Sequence, residues 1–435
     1  MSRILYLYLF LLAVPLFSST LDGLIAHAMK HSTVVKQSQA EIELAQSRTE
    51  ESQAAHYGDI DLVASYTHFN LPRTLVPITP VAILDDPYGV ATTKNLMNAG
   101  VMYSVPLFTG FAQTRQVEID AIAANISQSK LSLTREQLVY NVASLYLTIL
   151  SLQDMTSAQR KHVETLRRLE EMISNEVEFG KKPQIDLLKA KNDLQGNESY
   201  LAVLKGNIAI TKASLSSLVG MDRIGTIEPI KVSVKKPRYS INKLLGESDS
   251  LDRVIIADLN LEKAGKSIEK SEASLLPQVT FNSFYGGNYG ENDSSNAYSG
   301  EFESEKTWQF GVNAKWTLID FGKRDASIQQ AKIEHMKAEF DKHQMLLDLK
   351  KSLIEASEKM KQEYANYQSN VTQLTLAKKS EVIEKVRYDN GVSTINDLLY
   401  AKSQTHIATA KLIESKYNYR KGKFYLDYLL ERGVR

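Results

Sequence analysis

Two stretches of roughly 70 residues, Phe111 to Phe179 and Lys323 to Asn390, contain neither glycine nor proline. A backbone free of those two breakers and patterned for burial along one side continues as a helix. At ~1.5 Å per residue each stretch would run ~100 Å if straight, about three times the ~30 Å hydrocarbon core of a bilayer. A compact globule cannot hold such a rod. In the first, Leu138, Val142, Leu145, Ile149, Leu152, Val163, Leu166, Ile173 and Val177 keep three- and four-residue steps, with gaps at Thr156, Gln159 and Glu170. The second repeats the seam through Leu346, Leu349, Leu353, Ala356, Met360, Tyr367 and Leu374. These are coiled-coil seams, and shorter ones follow from Leu187 to Leu218 and from Leu398 to Tyr419, so each long helix turns back as an antiparallel hairpin.

The hairpins are two copies of one design. Gly180 precedes Asp186-Leu187-Leu188 as Gly391 precedes Asp397-Leu398-Leu399, and Asp186 and Asp397 are 211 positions apart. Leu107 and Leu318, which open the two sequences leading into the long helices, are also 211 apart. Upstream, Ala40 to Ala55 resembles Leu259 to Ser274 at an offset of 219, and the difference falls in a loop, where insertions are tolerated. The chain is a tandem duplication. Residues 21–220 form the first copy, with strands about 60–69 and 97–108, a long helix about 111–175 and a return helix about 184–219. Residues 221–250 form a linker, and residues 251–421 the second copy, with strands about 278–289 and 307–318, a long helix 323–389 and a return helix 393–421; a tail of 422–435 follows.

The strands are two-faced. Trp308, Phe310, Val312, Ala314, Trp316 and Leu318 alternate with polar or small residues, and Val101, Tyr103, Val105 and Leu107 do the same. Aromatic residues, among them Tyr66, Tyr285, Trp308 and Trp316, are expected to crowd the strand ends as an interfacial girdle, the pattern of an outer-membrane barrel with a lipid-facing wall; half of a soluble sandwich is the competing reading. Four strands cannot close a barrel in lipid, because open edges leave backbone groups unsatisfied at several kcal/mol each. Protomers must pool strands, two chains giving eight and three giving twelve with room for a lumen.

Composition narrows the classes. Lys+Arg 52 against Asp+Glu 51 gives a net charge of +1 and no electrostatic case for a nucleic-acid partner. Absent cysteine removes disulfides, thiolate nucleophiles and cysteine-ligated metals. Arg3 followed by the apolar Ile4 to Phe17 and then Ser18-Ser19-Thr20 reads as an export signal over residues 1–20. The eight histidines form no zinc-protease motif, Gly286-Gly287 with Gly290 reads as a loop between strands, and no nucleophile elbow is present, so neither a cofactor, a metal nor an enzyme activity is expected.

In combination these features resemble the TolC-like outer-membrane efflux protein family over essentially the whole mature chain. The likeness rests on the duplicated helix–strand–strand–helix–helix order, on Val105-Pro106-Leu107-Phe108-Thr109-Gly110 ahead of a long helix, on Leu276-Pro277 before a strand, and on the two G-x5-D tips. It implies an α+β membrane protein: a homotrimer with a twelve-stranded β-barrel in outer-membrane lipid, continuous with a coiled-coil tunnel through the periplasm of a Gram-negative bacterium. The implied partners are a periplasmic adaptor and an inner-membrane pump of the RND, ABC or MFS type. Segments 219–251 and the turn after Gly422 would form a belt around the tunnel. By the same resemblance, Asp186, Tyr388, Ser393, Asp397 and Tyr400 sit at the periplasmic entrance, and Gly180, Lys181, Gly391 and Val392 meet the adaptor. Ser393 replaces an arginine of the best-known member and Tyr400 an aspartate, which argues against an ionic latch; Tyr388 and Tyr400 are instead expected to narrow the entrance while Asp397 supplies its charge. The competing classes are a periplasmic adaptor, which would carry one hairpin flanked by small β-modules, a structural coiled-coil envelope protein, and an envelope enzyme.

Overall fold

The computed structural model describes residues 19–85, 90–246, 248–294 and 299–433. Most of the expected export signal lies outside the described residues. In chain order the elements are α1 (Leu21–His31), α2 (Thr33–Ala54), β1 (Asp59–Thr74), α3 (Pro80–Asp85), β2 (Thr92–Phe108), α4 (Ala112–Glu178) and α5 (Gln184–Val219). After them come α6 (Ile241–Leu245), α7 (Asp252–Glu272), β3 (Gln278–Glu291), β4 (Phe302–Lys315), α8 (Lys323–Asp389) and α9 (Ile395–Leu429). The chain divides into two compact units, one of Glu41–Gln128 with Ile256–His343 and one of Met1–Ala40, Ser129–Ile255 and Gln344–Arg435.

The duplication persists in backbone detail. Gly110 and Phe111 take positive φ at the turn from β2 into α4; 211 positions on, Phe321 and Gly322 do so at the turn into α8. Two consecutive left-handed residues reverse the chain in little space, and a glycine supplies one of them each time.

The first unit holds one antiparallel sheet in the order β1-β2-β3-β4, so β1 and β4 are open edges. Its register puts Leu62, Val101, Tyr285 and Trp308 on one rung and Ile60, Tyr103, Ser283 and Phe310 on another. Side chains two apart share a face, so these rungs form a single apolar surface, and Ile60, Leu62, Val101, Tyr285, Trp308 and Phe310 are all exposed on it. The opposite face carries polar pairs, Asn98 donating to Asn288 at 2.8 Å and Ser104 to Asn282 at 2.9 Å, with Met102 and Phe284 on a rung between them. Below the sheet, Arg115 and Glu118 of α4 interlock with Lys266 and Glu269 of α7, at 2.7 Å for Arg115–Glu269 and 3.1 Å for Lys266–Glu118.

Several expectations about this unit are corrected. The strands run 14 to 17 residues, longer than expected, but β4 stops at Lys315. Trp316 stands just past it and donates from Nε1 to the Leu275 carbonyl at 3.0 Å. Gly286, Gly287 and Gly290 lie inside β3, not in a loop. The Phe284 ring covers the facing Gly100–Gly286 pair, where a Cβ on either glycine would meet it at 2.6 Å. The aromatics do not all rim the sheet: Tyr285 and Trp308 pair in mid-strand, while Tyr66 shares a rung with Met97, Tyr289 and Ser304 nearer the hairpin turns.

The second unit is helical. Tyr146 of α4 is fully buried, and its hydroxyl donates to the Glu228 carbonyl at 2.6 Å and lies 3.2 Å from that of Ser19. It thereby clasps a parallel bridge between Ser19 and Ile227. Leu244 from the linker and Leu251 just after it pack with Leu349 and Leu353 of α8 and with Leu426 and Leu429 of α9. The expected break at Gly422 does not occur, since α9 continues to Leu429. Gly422 is there for closeness, a Cβ on it falling 2.8 Å from Met360 Sδ. The chain end is tied down by Glu431, which accepts from the Asp252 amide at 2.5 Å and from Arg253 Nε at 2.9 Å and so caps α7. No helix among the described residues is long and apolar enough to cross a membrane.

Candidate functional site

The two hairpin tips are the best-built site in the helical unit. At the end of α4, Gly180 takes φ +67° and its amide bonds the Val177 carbonyl at 2.9 Å, while the Lys181 amide bonds Glu176 at 2.8 Å. At the end of α8, Gly391 takes φ +73°, with Gly391 to Tyr388 at 3.0 Å and Val392 to Arg387 at 2.8 Å. Both are the same Schellman cap, in which a left-handed glycine lets two amides close on the last turn. Nothing lies within 4 Å of where a Cβ would sit on either glycine, so both tips present open backbone.

The returning helices start differently. Pro183 begins α5 without a side-chain cap, and Asp186 lies in its first turn. Thr394 begins α9 in a capping box: the Asp397 carboxylate accepts from the Thr394 amide at 3.0 Å and hydroxyl at 2.7 Å. Those two bonds hold the Asp397 carboxyl below the usual carboxylate range, so the cap is complete above that range and is lost as pH falls through the lowered value. The sequence Thr394-Ile395-Asn396-Asp397 carried this signal. Removing the Thr394 hydroxyl by Thr394→Ala is expected to cost about 1 kcal/mol of stability, read as a lower melting temperature.

Between the tips, Leu169 and Ile173 of α4, Leu187 and Ala190 of α5, and Ile395 and Leu398 of α9 enclose Tyr388, which is 2% exposed. The structure corrects the expectation that Tyr388 and Tyr400 act alike. Tyr388 is sealed inside its own chain and joins the hairpins, whereas Tyr400 is 67% exposed. Burial, followed by the charges of Asp186, Glu176 and Asp389, pushes the Tyr388 phenol up to about 12, so it stays protonated at physiological pH. Its hydroxyl, Ser393 Oγ and Glu176 Oε2 are shut away with no hydrogen-bond partner among the described residues. Lys182 was missed from the sequence: its Nζ sits 4.1 Å from the centroid of the Tyr388 ring, so a cation of the first tip rests on an aromatic face of the second. No periodicity marks such a contact. Lys181 and Val392 are exposed beside the glycines.

The sequence profile of the outer membrane efflux protein family matches residues 24–221 and 244–427, one segment for each repeat. The chain belongs to the outer membrane efflux protein family. Solved structures agree on the fold of this family member. A membrane protein from Pseudomonas aeruginosa superposes with a TM-score of 0.79 at 14% identity, covering 94% of this chain and 93% of that one. The outer membrane protein VceC from Vibrio cholerae gives 0.76 at 17% identity, with 94% and 96% covered. The CmeC outer membrane channel of Campylobacter jejuni gives 0.77 at 16% identity, with 95% and 86% covered. No curated protein is significantly similar in sequence. Outer membrane efflux proteins transport rather than catalyse.

Proposed function

We propose that this family member is the outer-membrane exit duct of a tripartite export system. Three copies pool their strands into a twelve-stranded barrel whose apolar face meets lipid, and their helices wall a periplasmic tunnel whose entrance lies at the hairpin tips. The observation that carries this reading is the four-stranded sheet with open edges at β1 and β4 and an exposed apolar face. Such a sheet is complete only when other strands cover its edges and something other than water covers that face. An exposed seam on α8, through Ile333, Phe340, Leu347 and Ile354 at seven-residue spacing, supports helix pairing between copies.

At the entrance Asp397, repeated three times by symmetry, favours cations in a narrow pore, and the exposed Tyr400 lines the constriction. Asp186 stands on the neighbouring hairpin, and Ser393 is part of the turn. A periplasmic adaptor docks on the open backbone at Gly180 and Gly391 and on Lys181 and Val392 beside them; an inner-membrane pump of the RND, ABC or MFS type selects the cargo. Gly180→Trp and Gly391→Trp are expected to abolish adaptor capture while leaving assembly intact, because the space is open and the added cost is only the ~1–2 kcal/mol of left-handed strain. The test of the duct itself is single-channel conductance in planar bilayers: the wild type should conduct with a cation preference that Asp397→Ala reduces. Equal ion preference in the two proteins would remove Asp397 from the entrance, and absence of any conductance would remove the duct.

A further inference from the structure

Away from the tips, α4 and α9 meet through two histidines. His162 of α4 and His406 of α9 stack with ring centroids 4.5 Å apart and planes 7° from parallel. They line a cavity of about 480 Å³. One turn before His406, the nearly buried Lys402 of α9 bonds Glu381 of α8 at 3.3 Å. The ionisable groups around the cavity are Asp154 and Lys161 from α4, Lys378 and Glu381 from α8, and Lys402 from α9; α5 contributes none to its lining. Both carboxylates are engaged. Glu381 holds Lys402, and Asp154 accepts from the Tyr417 hydroxyl at 2.8 Å and lies 3.8 Å from Lys416 Nζ. A proton arriving on either imidazole therefore adds positive charge beside three lysines with no uncommitted carboxylate to meet it.

We propose that His162 and His406 form a proton-responsive contact between the two repeats, packed while both rings are neutral and forced apart when they are protonated. Stacked neutral imidazoles attract by dispersion, whereas two imidazoliums at this distance repel in surroundings of lowered dielectric. Burial, then His406 and Lys402, hold His162 down at about 4 against the weaker opposing pull of Glu381. Burial lowers His406 as well. For a histidine lowered in the packed state, the separated state binds the proton more tightly. The contact is thus at full strength above the free value of about 6.5 and weakens as pH falls from there toward about 4. His162 alone raises the ratio of separated to packed forms by about 25-fold between pH 7.5 and pH 5. If α4 and α9 wall a duct, as proposed above, acid loosens that wall at a level remote from the tip contacts.

The experiment is hydrogen exchange of the detergent-solubilised full chain at pH 7.5 and pH 5, with each rate divided by the intrinsic rate at that pH. It reads the contact whether or not the protein conducts, so it separates failure of this inference from failure of the duct. In the wild type, protection of residues 158–166 and 402–410 should fall at least 10-fold on acidification, and the His162→Gln/His406→Gln pair should cut that change below 3-fold. If the pair does not fold, His162→Phe, which keeps a stacked ring but removes the more strongly lowered proton site, should at least halve the response. A wild type whose protection is unchanged at pH 5, or variants that respond as the wild type does, would overturn the proposal.

Discussion

Tyr388→Ala is expected to separate the two hairpin tips, at a cost of about 3–5 kcal/mol for deleting a fully enclosed aromatic ring. The ring lies in a cluster drawn from both repeats and also carries Lys182 on its face. Removing it takes the filling from between Ile173, Leu187 and Leu398 and the cation–π contact worth about 0.5–2 kcal/mol together. Bilayer conductance should rise, and the tip segments should lose hydrogen-exchange protection. Tyr388→Phe should do neither, because the hydroxyl it deletes is buried without a hydrogen-bond partner among the described residues and contributes desolvation cost rather than a bond. The pair of variants separates a latch made of packing from one made of a phenolic hydrogen bond. If Tyr388→Phe opened the channel as widely as Tyr388→Ala, the packing account of the tip would be wrong.

The second large effect is expected at adjacent residues on opposite faces of β4. Twelve positions separate Trp316 from Ser304, which at ~3.3 Å per residue and a ~40° tilt span ~30 Å, the depth of the hydrocarbon layer. Phe310 stands halfway along that path on the apolar face, stacked beside Trp308 at 5.9 Å. Phe310→Arg is expected to cost about 2–4 kcal/mol per chain, the penalty for an arginine at mid-depth on a lipid face. Gln309→Arg, one residue away but pointing to the polar face, should be close to neutral. The measurement is the fraction of protein recovered in the outer membrane as a heat-resistant oligomer. Equal losses from both substitutions would contradict a lipid-facing sheet.

Much of the fold is legible in the sequence because it is repetitive and helical. The seam from Leu138 to Val177 and the absence of breakers after Phe111 located α4, and the 211-residue offset located its counterpart. Alternation located the strands but not their ends, since Trp316 continues the apolar pattern after the hydrogen bonding has stopped at Lys315. Gly422 and Gly286 misled for one reason. A glycine marks either a turn or the close approach of another group, and only the neighbour, the Met360 side chain in one case and the Gly100 backbone in the other, tells which. The same limit applies at the tips. The positions of Asp186, Gly391 and Asp397 were legible, because caps are local, but the fate of Tyr388 was not. Its burial depends on Leu169 and Ile173 of α4 and Leu187 and Ala190 of α5, 198 to 219 positions away in sequence. His162 and His406, 244 positions apart, are likewise joined only by the packing of two repeats.

The most direct test of the duct is the mass of the complex extracted from the outer membrane, by light scattering corrected for bound detergent. Three chains per particle, resistant to heat in detergent, is the result expected if the open edges of β1 and β4 are closed by neighbouring copies. A monomer released from the periplasm without detergent would contradict it, because the exposed face of Ile60, Leu62, Val101 and Phe310 would then have no lipid to meet.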